Sequence, residues 1–191
     1  MSKVTFKAAI DAVSHFSELK RGLRGAGYVE TGKLYRLRLR RIDLIQRLRF
    51  LLQMSCENER VLAVRFSDGP ESKALNMSYR GKASPTDVLS FSAFAQNIEL
   101  AKMGVLAQND FSLGDLVVCV PVCHLQAKEQ RVSISSEMER MIVHGICHLK
   151  GFDHERSDLA LTVMEGLESH MRRALVRRFG KPCWAQISES T

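Results

Sequence analysis

Three of the six histidines, His144, His148 and His154, fall close together in the stretch EMERMIVHGICHLKGFDHE, residues 137–155. His144 and His148 stand four apart. On a helix that spacing stacks two imidazoles on one face, one turn apart, where both can grip a single ion. Gly151 follows, and glycine takes the left-handed backbone conformation that ends many helices. The chain can then turn and bring His154 back to the same point. Three neutral imidazoles with an open fourth position describe a catalytic zinc centre rather than a closed structural one. A lone histidine on a half-buried helix is an ordinary packing residue; three at this spacing around a glycine are specific. Imidazoles also suit nickel, copper and iron, so zinc, one ion per chain, is expected on availability as much as on chemistry.

The spacing H-x-x-x-H-x-x-G-x-x-H is that of the metzincin metalloproteases, with one difference. Those enzymes carry a glutamate after the first histidine as general base. Here the position is Gly145. A glycine takes no proton, so a peptidase lacks its central residue. The other three histidines, His15, His124 and His170, have no paired spacing and are read as non-ligands.

A second stretch, LNMSYRGKASPTDVLSF over residues 75–91, places Arg80, Gly81, Lys82 and Pro85 in an exposed basic loop. Arg80 is a permanent cation whose planar fork suits a phosphate.

The elements that must position these groups follow from periodicity. Strict alternation over residues 36–40 predicts a strand with Arg36, Arg38 and Arg40 on one face, either simply solvated or set against an RNA backbone. A helix is expected to about Met54, a buried strand over residues 61–66, and a helix through Leu75 capped by Ser67 or Asp68. DVLSF and residues 114–120 read as strands, and residues 122–131 as a helix. The histidine helix runs to about Lys150, capped by Ser135 or by Ser136 in a capping box with Glu139. A last helix, capped by Ser157, spans residues 158–179 and buries Leu161, Met164, Leu167 and Leu175. This order predicts a single α/β domain over residues 33–180, a small mixed sheet with helices packed on it, and the three-histidine metal site on a helix and the turn after it. Residues 1–32 read as a poorly ordered basic extension with a short amphipathic helix over 8–19, and residues 181–191 as a polar tail. The region between Ser92 and Ser112 has little pattern.

The net charge of +7 favours a polyanionic partner: RNA, DNA or an acidic membrane. No apolar run is long enough to span a membrane, and the charged N-terminus does not resemble a signal peptide. Five scattered cysteines, none in a C-x-x-C pair, suit reduced thiols and a cytoplasmic protein.

Taken together, L-N-x-x-Y-R-G-K, P-T-D-V-L-S-F, G-D-L-V and H-G-x-x-H-L-x-G-F-D-H resemble, in that order, the YbeY family of bacterial rRNA-maturation endoribonucleases. The likeness runs from about Val61 to Phe179. It implies an α/β fold, a metal on three histidines, cleavage of single-stranded RNA, and work on ribosomal RNA maturation and ribosome quality control. It also implies a catalytic role for Arg80 beside the metal centre, to which His144 belongs. Partners would be ribosomal RNA, the ribosome or its subunits, and ribosome-associated proteins. Ser92 stands where that family usually has proline. Lys82 becomes a candidate phosphate contact. Asp153, beside His154, either orients an imidazole by hydrogen bond or is a turn residue. The alternatives are an assembly factor whose metal is structural, and a zinc peptidase.

Overall fold

The computed structural model describes residues 24–30, 33–55, 57, 60–93, 112–153 and 157–189. Its elements are β1 (Arg24–Glu30), β2 (Lys33–Leu39), α1 (Arg41–Met54), β3 (Val61–Ser67), α2 (Gly69–Arg80), β4 (Val88–Ser92), β5 (Ser112–Cys119), α3 (Val120–Glu129), α4 (Ile134–Leu149), α5 (Asp158–Phe179) and β6 (Ala185–Glu189). The predicted helix over residues 8–19, and residues 94–111 of the pattern-poor region, lie outside the described residues.

The mixed α/β class holds, but the strands form two sheets rather than one. In the first, β5 is central, parallel to β3 and antiparallel to β4. The second is antiparallel, with β2 between β1 and β6. Residues 24–30 of the expected extension and 185–189 of the expected tail are therefore strands. RGAGYVE has no alternating apolar pattern, and the alternation in AQISE is only five residues long. Their pairing with β2 supplies what their own propensity does not.

Helix α4 lies at the centre. Eleven of its sixteen residues are buried, so it is covered on most sides. It packs on the β4 and β5 strands of the β3-β5-β4 sheet and against α3 and α5. Its cap is Ser133, two or three residues earlier than expected, whose Oγ accepts from the amide of Ser136 at 3.1 Å. Ser135 does not cap it. That buried hydroxyl donates to the carbonyl of Ala185 at 2.9 Å and accepts its amide at 2.8 Å, which fixes the start of β6 to the helix.

Glu139 makes no capping box either. Its carboxylate accepts from Nη1 of Arg47 on α1 at 2.9 Å, in a buried pair. Nη2 of Arg47 donates to the carbonyls of Phe179 and Gly180 at 3.3 and 2.8 Å. One guanidinium thus joins α1, α4 and the end of α5. Buried pairs add little net stability over an apolar core, but removing one partner costs about 3–5 kcal/mol.

Helix α2 begins at its Asp68 cap, whose Oδ1 accepts from the amide of Glu71 at 2.9 Å. It runs past Leu75 to Arg80, and Gly81 closes it with φ +68°. Arg80 therefore ends a helix instead of lying in a loop. The segment that follows is bonded back onto α2: Asn76 donates to the carbonyl of Ser84 at 2.8 Å, and Ser72 to that of Thr86 at 2.8 Å. On α5, Ser157 caps as expected; Met164 and Leu175 are buried, Leu167 is half-buried and Leu161 is exposed. Among the described residues no helix is long and apolar enough to cross a membrane.

Candidate metal centre

A polar stripe runs along the otherwise apolar α4: Glu137, Arg140, His144 and His148, at intervals of three, four and four. That spacing keeps the four on one helical face. Arg140 binds both carboxylate oxygens of buried Glu137, from Nε at 3.2 and 3.1 Å and from Nη2 at 2.5 Å. The Glu137 hydrogen bond, more than any other influence, holds the Arg140 guanidinium above its usual pKa, with Asp87 and Glu168 adding to it.

One turn on, the Nε2 atoms of His144 and His148 face each other at 3.1 Å, with the rings nearly perpendicular at 83°. Two nitrogens bound to one tetrahedral zinc at about 2.1 Å would lie about 3.4 Å apart, so the pair fits a shared ion with little adjustment. Behind His144, on α5, stands Glu168, with Oε1 2.8 Å from Nδ1. An ionised carboxylate only accepts, so Nδ1 carries the proton and the lone pair of Nε2 points towards His148.

Glu168 is absent from the sequence expectations, yet the sequence held a signal for it. It falls at helical spacing with Met164, Met171 and Leu175, the buried stripe of α5. A carboxylate on such a stripe needs a partner on the facing helix.

The turn expected at Gly151 is present. Its φ is +86°, its amide donates to the carbonyl of His148 at 2.9 Å, and the amide of Phe152 donates to that of Cys147 at 3.1 Å. These two bonds define a left-handed helix stop that a side chain would strain. The chain leaves α4 through Phe152, which packs on the core, and half-buried Asp153. His154 lies outside the described residues. Among the described residues no third His, Cys, Asp or Glu completes a metal-holding group with the pair.

Gly145 is explained by packing. A Cβ there would stand 2.6 Å from Cδ2 of Leu116 on β5 and 3.2 Å from Oγ of Ser90 on β4. The position faces the sheet, and a side chain there would have to displace Leu116.

Arg80 and Lys82 are both exposed. The neighbouring Tyr79 sets its ring edge-on against Phe91, centroids 4.7 Å apart. The next residue of β4, Ser92, donates from Oγ to the carbonyl of Leu149 at 3.3 Å. The end of α2 and the end of α4 are thus fastened to consecutive residues of one strand. A proline at position 92 would have no hydroxyl to make the second link.

Asp87 anchors the other end of β4. Its Oδ1 accepts from the amide of Val88 at 2.8 Å, and its Oδ2 from Gln126 on α3 at 3.0 Å. Burial pushes its pKa up, but these bonds and that from Thr86 together outweigh it and hold the carboxyl below its usual value. The P-T-D residues of the motif therefore position the strand. Of the other histidines, His124 is half-buried on α3, His170 is exposed on α5, and His15 lies outside the described residues.

Two histidines paired on the central helix, with a carboxylate behind one of them, are a donor set that suits a metal ion. The sequence model of the family described as Endoribonuclease YbeY matches residues 39–176, and the chain belongs to that family. The chain is 40% identical to Endoribonuclease YbeY of Cupriavidus pinatubonensis over 114 residues, 60% of this chain and 51% of that one. It is 43% identical to Endoribonuclease YbeY of Acinetobacter baumannii over 101 residues, 53% of this chain and 61% of that one. The chain thus spans between half and two thirds of the length of these curated relatives. Among solved structures, TM1509 from Thermotoga maritima shares the fold, with a TM-score of 0.50 at 23% identity over 72% of this chain and 82% of that one.

Proposed function

We propose that this chain is a metal-dependent endoribonuclease that cuts single-stranded RNA, and that it acts in the maturation of ribosomal RNA and in ribosome quality control in the cytoplasm. Family membership supports the activity. The observation that carries the chemistry is the His144–His148 pair, Nε2 atoms 3.1 Å apart with Glu168 behind. His154, three residues past the Gly151 turn, is the third ligand, and zinc is the metal that suits the set. When bound, such an ion supplies Lewis-acid chemistry, polarising a phosphoryl oxygen and acidifying a water.

The chain's own residues do the rest. Glu168 fixes the proton on Nδ1 of His144. Arg80, at the end of the helix that Tyr79 fastens to β4, meets charge that grows on the phosphoryl oxygens as the bond breaks. Lys82 holds a flanking phosphate, and Asp153 orients the turn that carries His154. Gly145 leaves no carboxylate base beside the pair, which opposes peptide hydrolysis. Ribosomal RNA, within the ribosome or its subunits, is the expected partner.

The test is cleavage of a single-stranded ribosomal RNA fragment by wild type, Arg80→Ala and His148→Ala proteins purified identically. Arg80→Ala is expected to lose about 10²–10³-fold in rate with its zinc content unchanged. His148→Ala is expected to lose both metal and activity. Equal cleavage by all three would point to a contaminating ribonuclease and overturn the assignment. Salt-sensitive RNA binding by wild type without cleavage would identify an assembly factor instead. End analysis reads the nucleophile: water leaves a 5′-phosphate, and the RNA's own 2′-hydroxyl leaves a cyclic phosphate.

A further inference from the structure

We infer that the solvent face of the β1-β2-β6 sheet is a second RNA contact, gripping backbone phosphates away from the histidine pair. The inference rests on the nuclease reading and adds a surface to it. Leu37 of the central strand β2 is buried, while Arg36 and Arg38 on either side are exposed. Residues two apart on a strand share a face, so these two arginines stand together about 7 Å apart. The register sets Ser188 opposite Arg36 and Gln186 opposite Arg38, both exposed and uncharged. On the other side, position 24 opposite Arg38 is another arginine in the sequence, and position 27 opposite Arg36 is glycine.

Three arginines that follow β2 in the chain have a carboxylate partner. Arg40 pairs with Asp43 at 3.0 Å and also reaches Sγ of Cys183 at 3.3 Å, which takes it out of the row of three expected from sequence. Arg47 pairs with Glu139, and Arg60 with Glu57. Arg36 and Arg38 make no ion pair with the described residues. Two like charges held side by side without compensation favour a polyanion, and the guanidinium fork matches phosphate oxygens. Gln186 and Ser188 add hydrogen bonds suited to phosphate and sugar. No aromatic ring occupies positions 36, 38, 186 or 188, so the face offers no platform for stacking bases. The contact is with the backbone and does not depend on base sequence. This sheet also falls almost wholly outside residues 39–176, the span that the family model matches. It lies beside the span that the family model matches.

The test uses the whole chain and a fluorescent single-stranded RNA 20-mer, with the dissociation constant measured by anisotropy over a salt series. Each phosphate contact on a single strand contributes about 0.7 to the slope of log affinity against log salt. The double variant Arg36→Gln/Arg38→Gln is expected to lose about 1.4 of that slope and to bind about tenfold more weakly at low salt. Arg36→Lys/Arg38→Lys is expected to keep most of both, which separates lost charge from lost folding. A Gln variant with the wild-type slope and affinity overturns the inference and leaves the nuclease standing. A wild type that neither binds nor cleaves RNA overturns the nuclease reading and this one together. Loss of binding to anionic lipid vesicles with RNA binding intact would also overturn it, and would assign the face to a membrane.

Discussion

One proton decides which nitrogen of His144 has a lone pair to offer. Glu168, 2.8 Å from Nδ1, puts it on the far side, so that Nε2 offers its lone pair to the open side of the helix. Outer partners of this kind usually change metal affinity by 10–100-fold when removed. Glu168→Ala is expected to weaken zinc binding by about that factor, and Glu168→Gln, which keeps an accepting oxygen, by less. Titration of the metal-free protein against a chromophoric chelator reads this without reference to RNA. Equal affinities in all three proteins would remove Glu168 from the centre. The histidine spacing was visible in the sequence because a helix places i and i+4 together whatever surrounds it. Glu168 was less visible, since its role depends on which helix α5 meets. Gly145 showed in sequence only the lack of a base; its physical cause, the approach of Leu116 and Ser90, needs the sheet in place.

The elements were legible where apolar periodicity is strong, and misread where a charged residue sits on a buried stripe. Arg47 occupies the same face of α1 as Leu44, Leu48 and Leu51, and Glu139 is buried on α4. Local sequence offered Glu139 a cap at Ser136, but the partner across the core took it. Burial drives the Glu139 carboxyl above its usual pKa, and the Arg47 charge opposes this without cancelling it. The folded chain therefore keeps this proton to a higher pH than the unfolded chain does. The resulting stability is fully present below the unfolded value, about 4.3, and is lost as pH rises through the folded one. Urea unfolding across that window is expected to show the decline in wild type and not in Glu139→Gln. Parallel curves for the two proteins would show that Glu139 does not titrate differently on folding.

At the scale of the whole molecule, the sequence disclosed the α/β class and the central sheet but not the second sheet. β1 is glycine-containing and β6 alternates over only five residues, too short a run to stand out; each pairs with β2. The histidine pair needed only α4 to be read from sequence, and the arginine strand β2 was read as well; the sheet that β1 and β6 build around it was not.

That sheet also sets an order of events during folding. β2 meets β6 about 150 positions later in the chain, and closing so long a loop costs entropy before any contact forms. Until then β2 presents one unpaired edge, the kind of edge on which a second chain can add a strand. β6 docks late, and the hydroxyl of Ser135 holds it by both polar atoms of Ala185. Interactions made after the rate-limiting step slow unfolding without speeding folding. Ser135→Ala is therefore expected to unfold about tenfold faster while its refolding limb stays in place, as stopped-flow measurements against denaturant would read. A shifted refolding limb would put the docking of β6 before the barrier. With the late order, one buried hydroxyl governs how often the edge of β2 reopens, and so how readily the folded protein aggregates.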